Sequence, residues 1–225
     1  MKKLLFMFSI VMLFNIHSFA QEASNQSYVT DKGFRVSLGG GYARLLGNRE
    51  KQSDPVLEKF TKDLMNGFVV DFDAQYFFNP TWGIGLNSNY IVSNAELSNF
   101  QVDGVNLETS ISNSPVYYYV GPSLVSKVSS KKFMLLSNIG LGPLFFTDRL
   151  YYGPVQITGK TTTIGFNAGL AGEYSLTPKL GVGLKASYTM GTIKSITVAG
   201  LQVDSPESVT LSNLMFTLFL SFRTW

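Results

Sequence analysis

The sequence predicts an all-β protein: an eight-stranded antiparallel up-and-down β-barrel that crosses a membrane with its strands. Three observations predict it. Eight stretches alternate apolar and polar residues with a period of two, the mark of strands with one greasy and one wetter face. The connections between them alternate short and long. An export signal opens the chain, and no later stretch approaches the length of a spanning helix, so insertion into a membrane requires a closed barrel.

The chain begins with Lys2 and Lys3, an apolar run from Leu4 to Phe14, and Ser18-Phe19-Ala20, with small residues where a signal peptidase reads. That is a signal peptide over residues 1–20, too short and wrongly flanked for a membrane helix. Cleavage after Ala20 leaves 205 residues carrying sixteen Lys and Arg against fifteen Asp and Glu, a net charge of +1. Such a balance gives no case for a nucleic-acid partner. The chain has no cysteine, so it uses neither a disulfide nor a lipidated N-terminal cysteine. Residues 21–32 are polar and read as a flexible tail, and the barrel occupies 33–225.

The first strand places Phe34, Val36, Leu38, Gly40 and Tyr42 opposite Arg35, Ser37, Gly39 and Gly41. In the second, Phe68, Val70, Phe72, Ala74 and Tyr76 alternate with Val69, Asp71, Asp73 and Gln75. After the turn at Asn79-Pro80, Trp82, Ile84, Leu86, Ser88 and Tyr90 interleave with Gly83, Gly85, Asn87 and Asn89. The fourth row is Val116, Tyr118, Val120, Pro122 and Leu124, and the fifth is Phe133, Leu135, Ser137, Ile139 and Leu141. Ile164, Phe166, Ala168, Leu170 and Tyr174 form the sixth, away from Asn167, Gly169 and Glu173. The seventh is Leu180, Val182, Leu184, Ala186, Tyr188 and Met190, away from Lys185, Ser187 and Thr189. Leu214, Phe216, Leu218, Leu220 and Phe222 close the set, alternating with Asn213, Met215, Thr217, Phe219, Ser221 and Arg223. Tight turns fall at 78–81, 128–131 and 177–179, and four longer loops near 46–67, 93–114, 147–162 and 191–210, with ten strands the alternative to eight if the loops hold another hairpin. Tyr76–Tyr90 and Tyr174–Tyr188 repeat at an offset of 98, sharing Tyr, Pro, two Gly, Leu and Tyr. The repeat supports a regular hairpin topology.

Which face points inward follows from size. An eight-stranded barrel has room inside only for packed side chains or one small ligand. The apolar rows carry large aromatics and the polar rows carry glycine, so the bulky rows belong on the outer circumference, in lipid.

YFFNPTWGIGL, VYYYVGPSL, SLTPKLGVGLKASYTMGT and the terminal LSFRTW are the segments in which the chain resembles the small porin-like outer-membrane β-barrel proteins of Gram-negative bacteria. The resemblance covers most of the mature chain. It implies short periplasmic turns, four longer extracellular loops and residence in the cell outer membrane, with outer-membrane lipid, lipopolysaccharide and the barrel-insertion machinery as partners. An unknown surface partner could engage the loops. One departure is that Trp225 is out of phase with Phe222, whereas such barrels usually end with the aromatic in the lipid-facing row.

The one histidine, His17, lies in the signal, so the mature chain lacks both His and Cys. This removes Ser-His, Asp-His and Cys-His catalysis and every soft metal site. Asp71 and Asp73, near Arg35 and Arg223, have the spacing of an acid–base dyad, but buried charges need partners and an ion-pair network is the expectation. Glu173 and Lys185, across the Thr177-Pro178 turn, are read in the same way. Asp54-Pro55 with Val56, Leu57, Phe60 and Leu64 predicts a short amphipathic helix, either a recognition helix or a lid over the mouth. Gly47–Gln52 (GNREKQ) is a basic loop that could touch lipopolysaccharide phosphates or simply be solvated. Asp148, Asp204 and Glu207 are too scattered to bind calcium. The expectation is a non-enzymatic barrel without cofactor, catalytic residue or metal site, acting as a structural or surface-interaction protein. A narrow pore or a carrier of a small solute or amphipathic ligand is the alternative.

Overall fold

Alternation along the chain becomes a ring of hydrogen-bonded strands in the computed structural model. It describes residues 32–46, 55–97, 100–102, 105–107, 110–130, 132–198 and 201–225. The expected signal peptide, the tail up to Asp31, GNREKQ and Asp54 lie outside the described residues.

In chain order, β1 (Gly33–Leu45) is followed by the helix α1 (Pro55–Leu64), then β2 (Asn66–Phe77) and β3 (Trp82–Ser93). Four short strands come next: β4 (Ala95–Leu97), β5 (Phe100–Val102), β6 (Val105–Leu107) and β7 (Ile111–Asn113). The chain ends with β8 (Val116–Ser130), β9 (Phe133–Tyr152), β10 (Val155–Ser175), β11 (Leu180–Val198) and β12 (Leu201–Arg223). Eight of these, β1 to β3 and β8 to β12, are the staves of the barrel. Each stave pairs antiparallel with the next, and β12 returns to β1, so the ring has no open edge through the membrane. β5 and β6 form a hairpin of their own, while β4 pairs with β7 and β7 with the far end of β9.

The register sets the shape. From Phe34 the partners run through Tyr76, Ile84, Leu124, Ile139, Ala168, Tyr188 and Leu214 and arrive at Arg44, ten residues farther along β1. A stagger of ten over eight staves corresponds to a tilt of about 40° and a radius of about 8 Å. Side chains fill such a cylinder.

The faces divide as expected. Phe34, Leu38, Ile84, Leu141, Ile164, Leu184, Leu218 and Leu220 are exposed on the outer wall, whereas Arg35, Asp71, Asp73, Glu173 and Lys185 are buried inside. Aromatic girdles bound the outer band, with Phe34, Tyr76, Trp82, Phe133 and Tyr174 at the short-turn end. Tyr42, Phe68, Tyr90, Tyr118 and Phe145 stand at the other. Eight residues separate the girdles on β1, β2 and β3, which at this tilt is roughly 20 Å, the scale of a hydrocarbon layer.

The internal repeat has a local cause. Asn79 Oδ1 accepts hydrogen bonds from the backbone N–H of Thr81 (2.9 Å) and Trp82 (2.6 Å), and Thr177 Oγ1 accepts from Lys179 (3.3 Å) and Leu180 (3.0 Å). In each copy a side-chain oxygen before a proline closes the turn.

Two of the long outer connections differ from expectation. Residues 147–162, and residues 191–198 and 201–210, continue the staves as hairpin extensions instead of forming open loops. β9 and β10 meet at Gly153-Pro154, where Gly153 adopts φ 55°, a left-handed conformation that glycine enters without strain. The ladder between β10 and β11 is interrupted between Lys160 and Gly165. There Thr161 Oγ1 donates to the Ser195 carbonyl (2.8 Å) and Thr163 Oγ1 to that of Thr192 (2.7 Å), carrying the strands across the gap.

Gly121 and Gly142 face each other between β8 and β9. A Cβ on Gly142 would collide with the Val120 carbonyl and approach Gly121 Cα to 2.5 Å, whereas one on Gly172, on the outer wall, would meet nothing within 4 Å. Gly142→Ala is therefore expected to cost about 1–3 kcal/mol of unfolding free energy in detergent micelles, and Gly172→Ala to be close to neutral. Equal urea midpoints for the two variants would contradict this packing.

Candidate functional site

Within the barrel the inward residues build two ionic clusters and two apolar layers. Lys185 on β11 reaches across the lumen to β2, where its Nζ donates to Asp71 Oδ1 (2.8 Å) and to both Asp73 oxygens (2.9 Å each). Arg35 on β1 donates through Nε (2.9 Å) and Nη2 (2.7 Å) to Glu173 Oε2 on β10, and through Nη1 to Gln75 Oε1 (3.0 Å). Arg223 approaches the second Glu173 oxygen at 3.7 Å and donates to Ser175 Oγ at 2.8 Å. Arg35, Lys185 and Arg223 thus face Asp71, Asp73 and Glu173, three cations against three carboxylates, all buried.

These partners correct the pairing expected from the sequence. There the aspartates are read with Arg35 and Arg223, and Glu173 with Lys185; instead the aspartates hold Lys185, and both arginines hold Glu173. Register explains the exchange. Glu173 stands opposite Gly183, so Lys185 is two residues past it, while Arg35 and Arg223 are directly opposed and need an anion between them.

An amide chain extends the cluster around the lumen. Asn87 Nδ2 donates to Asp73 Oδ1, Asn138 Nδ2 to Asn87 (3.3 Å) and Asn167 (3.0 Å), and Asn167 Nδ2 to Thr189 Oγ1 (2.8 Å). Toward the long-hairpin end the lumen is filled by Ala43, Val69, Ile91, Tyr117, Tyr119, Leu144, Ile193, Leu211 and Met215. At the short-turn end Phe77, Val125, Met134, Leu136, Ala171 and Phe219 pack together, with Trp225 against them.

Trp225 accounts for the odd phase of the terminus. Its ring enters the lumen edge-on to Phe77, at 5.5 Å and 81°. Lys127 Nζ lies over both rings, 4.0 Å from the Trp225 centroid and 4.5 Å from that of Phe77. The last aromatic is thus part of the barrel plug, a role its sequence position did not disclose. Lys127 was foreshadowed only by its place three residues after the outward Leu124.

Asp71 and Asp73 share one lysine, Lys185, and Asp73 also accepts from the Asn87 amide. Among the described residues no group of three His, Cys, Asp or Glu could hold a metal. Asp148, on the part of β9 beyond the upper girdle, is held above the usual carboxylate range by burial, with a hydrogen bond from Asn113 pulling it back. The side chains of Asp204 and Glu207 lie outside the described residues. α1 forms as expected and packs against β4 and the start of β2, with Leu64 buried and Val56 and Leu57 exposed. Glu58 and Lys62 pair on its solvent side at 2.7 Å, a contribution of about a few tenths of a kcal/mol.

A closed ring, an apolar outer band between aromatic girdles and an ionic, filled lumen define a transmembrane β-barrel of the outer-membrane kind. A major outer membrane protein from Thermus thermophilus shares this fold, with a TM-score of 0.53 and 15% identity over 85% of this chain and 99% of that one. The attachment invasion locus protein of Yersinia pestis (TM-score 0.46, 15% identity, 86% and 99% covered) and the outer membrane protease OmpT from Escherichia coli (0.47, 12%, 89% and 99%) are also similar. No protein-family model and no curated protein matches the sequence.

Two outcomes test the lumen. Lys185→Met, which leaves two buried aspartates unpaired, is expected to cost about 3–5 kcal/mol in urea unfolding, and adding Asp71→Asn and Asp73→Asn to recover most of it. A triple variant no more stable than the single one would break the argument. Trp225→Ala is expected to lower stability by about 2–4 kcal/mol through lost packing and cation–π contact, read by the same unfolding curve.

Proposed function

We propose that this chain is a non-enzymatic outer-membrane barrel with a structural or surface-interaction role, carried by its outer hairpins and not by passage through its lumen. One observation carries the reading: the lumen is occupied from end to end, with neutralised charges at mid-height and apolar layers toward both mouths. An ion entering it would have to separate buried ion pairs and cross an apolar layer, and each step is costly. The extensions of β9, β10, β11 and β12, by contrast, stand beyond the upper girdle and offer surface outside the membrane.

On this reading the partners are the surrounding outer-membrane lipid with its lipopolysaccharide, the barrel-insertion machinery during assembly, and a surface partner at the hairpins. Nucleic acid is not among them. The mature chain, with residues 1–20 removed as a signal peptide, is expected to give no stepwise conductance in planar bilayers across ±100 mV. Reproducible unitary steps from folded protein would sink this reading and favour the narrow pore.

A further inference from the structure

The outer wall carries two features that meet on β9 and β10. The first is a pair of cations. Arg149 and Lys160 are exposed and point outward on neighbouring staves, where Thr158 pairs with Arg149 and Thr147 with Lys160. They are diagonal neighbours, about 7–8 Å apart by sheet geometry. Both stand a few residues past Phe145 and Ile164, where the apolar band ends, so they sit at headgroup level. Among the described residues no ion pair neutralises either one, and Thr147, Thr158 and Thr162 surround them with hydroxyls.

The second is a furrow of about 760 Å³ that climbs obliquely across the lipid-facing wall. Tyr76, Ile84 and Leu124 form its lower side, and Leu86, Leu141 and Phe166 its upper side, with backbone as floor where the intervening residues point inward. Its high end is at Leu141 and Phe166. Six residues farther along β10 is Lys160, roughly 15 Å away in height at this tilt. Ile164, 77% exposed, fills the interval.

Cations above and an apolar trough below on the same two staves fit an amphiphile with an anionic head. We propose that this face binds a phosphorylated glycolipid of the outer leaflet, its phosphate held by Arg149 and Lys160 and an acyl chain running past Ile164 into the furrow. The charge chooses the head: arginine's planar donor fork matches phosphate oxygens and lysine adds a point charge. Depth chooses the tail, because only hydrocarbon is available beside Leu141 and Phe166. The site rests on the reading of this barrel as a surface protein seated in glycolipid, and it names where that contact is made.

The test uses the mature full chain in zwitterionic detergent micelles doped with bisphosphorylated lipid A or with the same lipid stripped of its phosphates, with bound lipid counted by native mass spectrometry. Wild type is expected to retain the phosphorylated lipid at least tenfold better than the stripped one. Arg149→Ala with Lys160→Ala should erase that preference, while Arg44→Ala, a rim cation on β1, should keep it; heat-modifiable gel mobility confirms that each variant is folded. An unchanged preference in the double variant, or none in wild type, overturns the site. A conducting barrel with phosphate preference intact would instead overturn the closed-lumen reading alone.

Discussion

Every stave of this protein must satisfy its backbone groups inside a hydrocarbon layer, where water supplies no partners. The ring of pairings from β1 round to β12 meets that demand, and its ten-residue stagger fixes a cylinder about 8 Å in radius. Much else follows from that radius. The interior is too narrow for large aromatic rows on all eight staves, so Phe, Leu and Ile go outward and glycine and small polar residues inward. Gly121 and Gly142 show how tight the fit becomes. They oppose each other where Pro122 and Pro143 each lack a donor to the ladder, and the strands close together there because neither carries a Cβ.

An interior lined by polar side chains raises its own problem, since a charge removed from water is costly unless it is paired and hydrogen-bonded. For six of the buried charges the solution is stoichiometric, Lys185 with two aspartates and two arginines with Glu173, while Lys127 lies over the Phe77 and Trp225 rings. Each cluster alone carries one excess charge, −1 for the first and +1 for the second, and the two lie at neighbouring levels of one lumen. The amide chain from Asn87 to Thr189 then spends hydrogen bonds, not charge, on the rest of the circumference. Such a network adds little stability relative to an apolar core of the same volume, yet removing one member leaves a buried charge exposed to low dielectric. It therefore acts chiefly as a specification of register: a two-residue slip of β11 would carry Lys185 away from both aspartates.

The eight rows, the tight turns and the direction of each face were legible because period-two alternation is local and the radius limits what can fit inside. Ion-pair partners were not. Neighbours along a ladder can be counted from a turn, but Lys185 and Asp71 lie on β11 and β2 and meet only across the lumen, at a level set by the stagger of the whole ring. The counting from the Thr177-Pro178 turn also needed the true closing pair, which puts Glu173 against Gly183. Trp225 was misleading for another reason. Its phase relative to Phe222 marked it only as a departure from the usual terminus, and nothing local indicated that Lys127 and Phe77 would meet its ring. The hairpin extensions were hidden because threonine-rich stretches such as Thr161–Thr163 break the apolar alternation, although threonine is well suited to strands.

Uneven stave length is the remaining asymmetry, and it bears on where the barrel can act. β1, β2 and β3 span 12 or 13 residues, close to a single crossing, while β9, β10, β11 and β12 span 19 to 23. The added length lies entirely at the upper end, since all short turns sit at one level. One side of the barrel therefore rises as a wall above the membrane, and β7 and β4 widen it by pairing beyond β9. Over β1 and β2 no strand continues among the described residues. A barrel built only to anchor itself would need no such wall. With its lumen filled by side chains and its wall raised on one side, the molecule would, on the surface-interaction reading proposed above, act at the outer rim and on the lipid-facing flank where Arg149 and Lys160 stand.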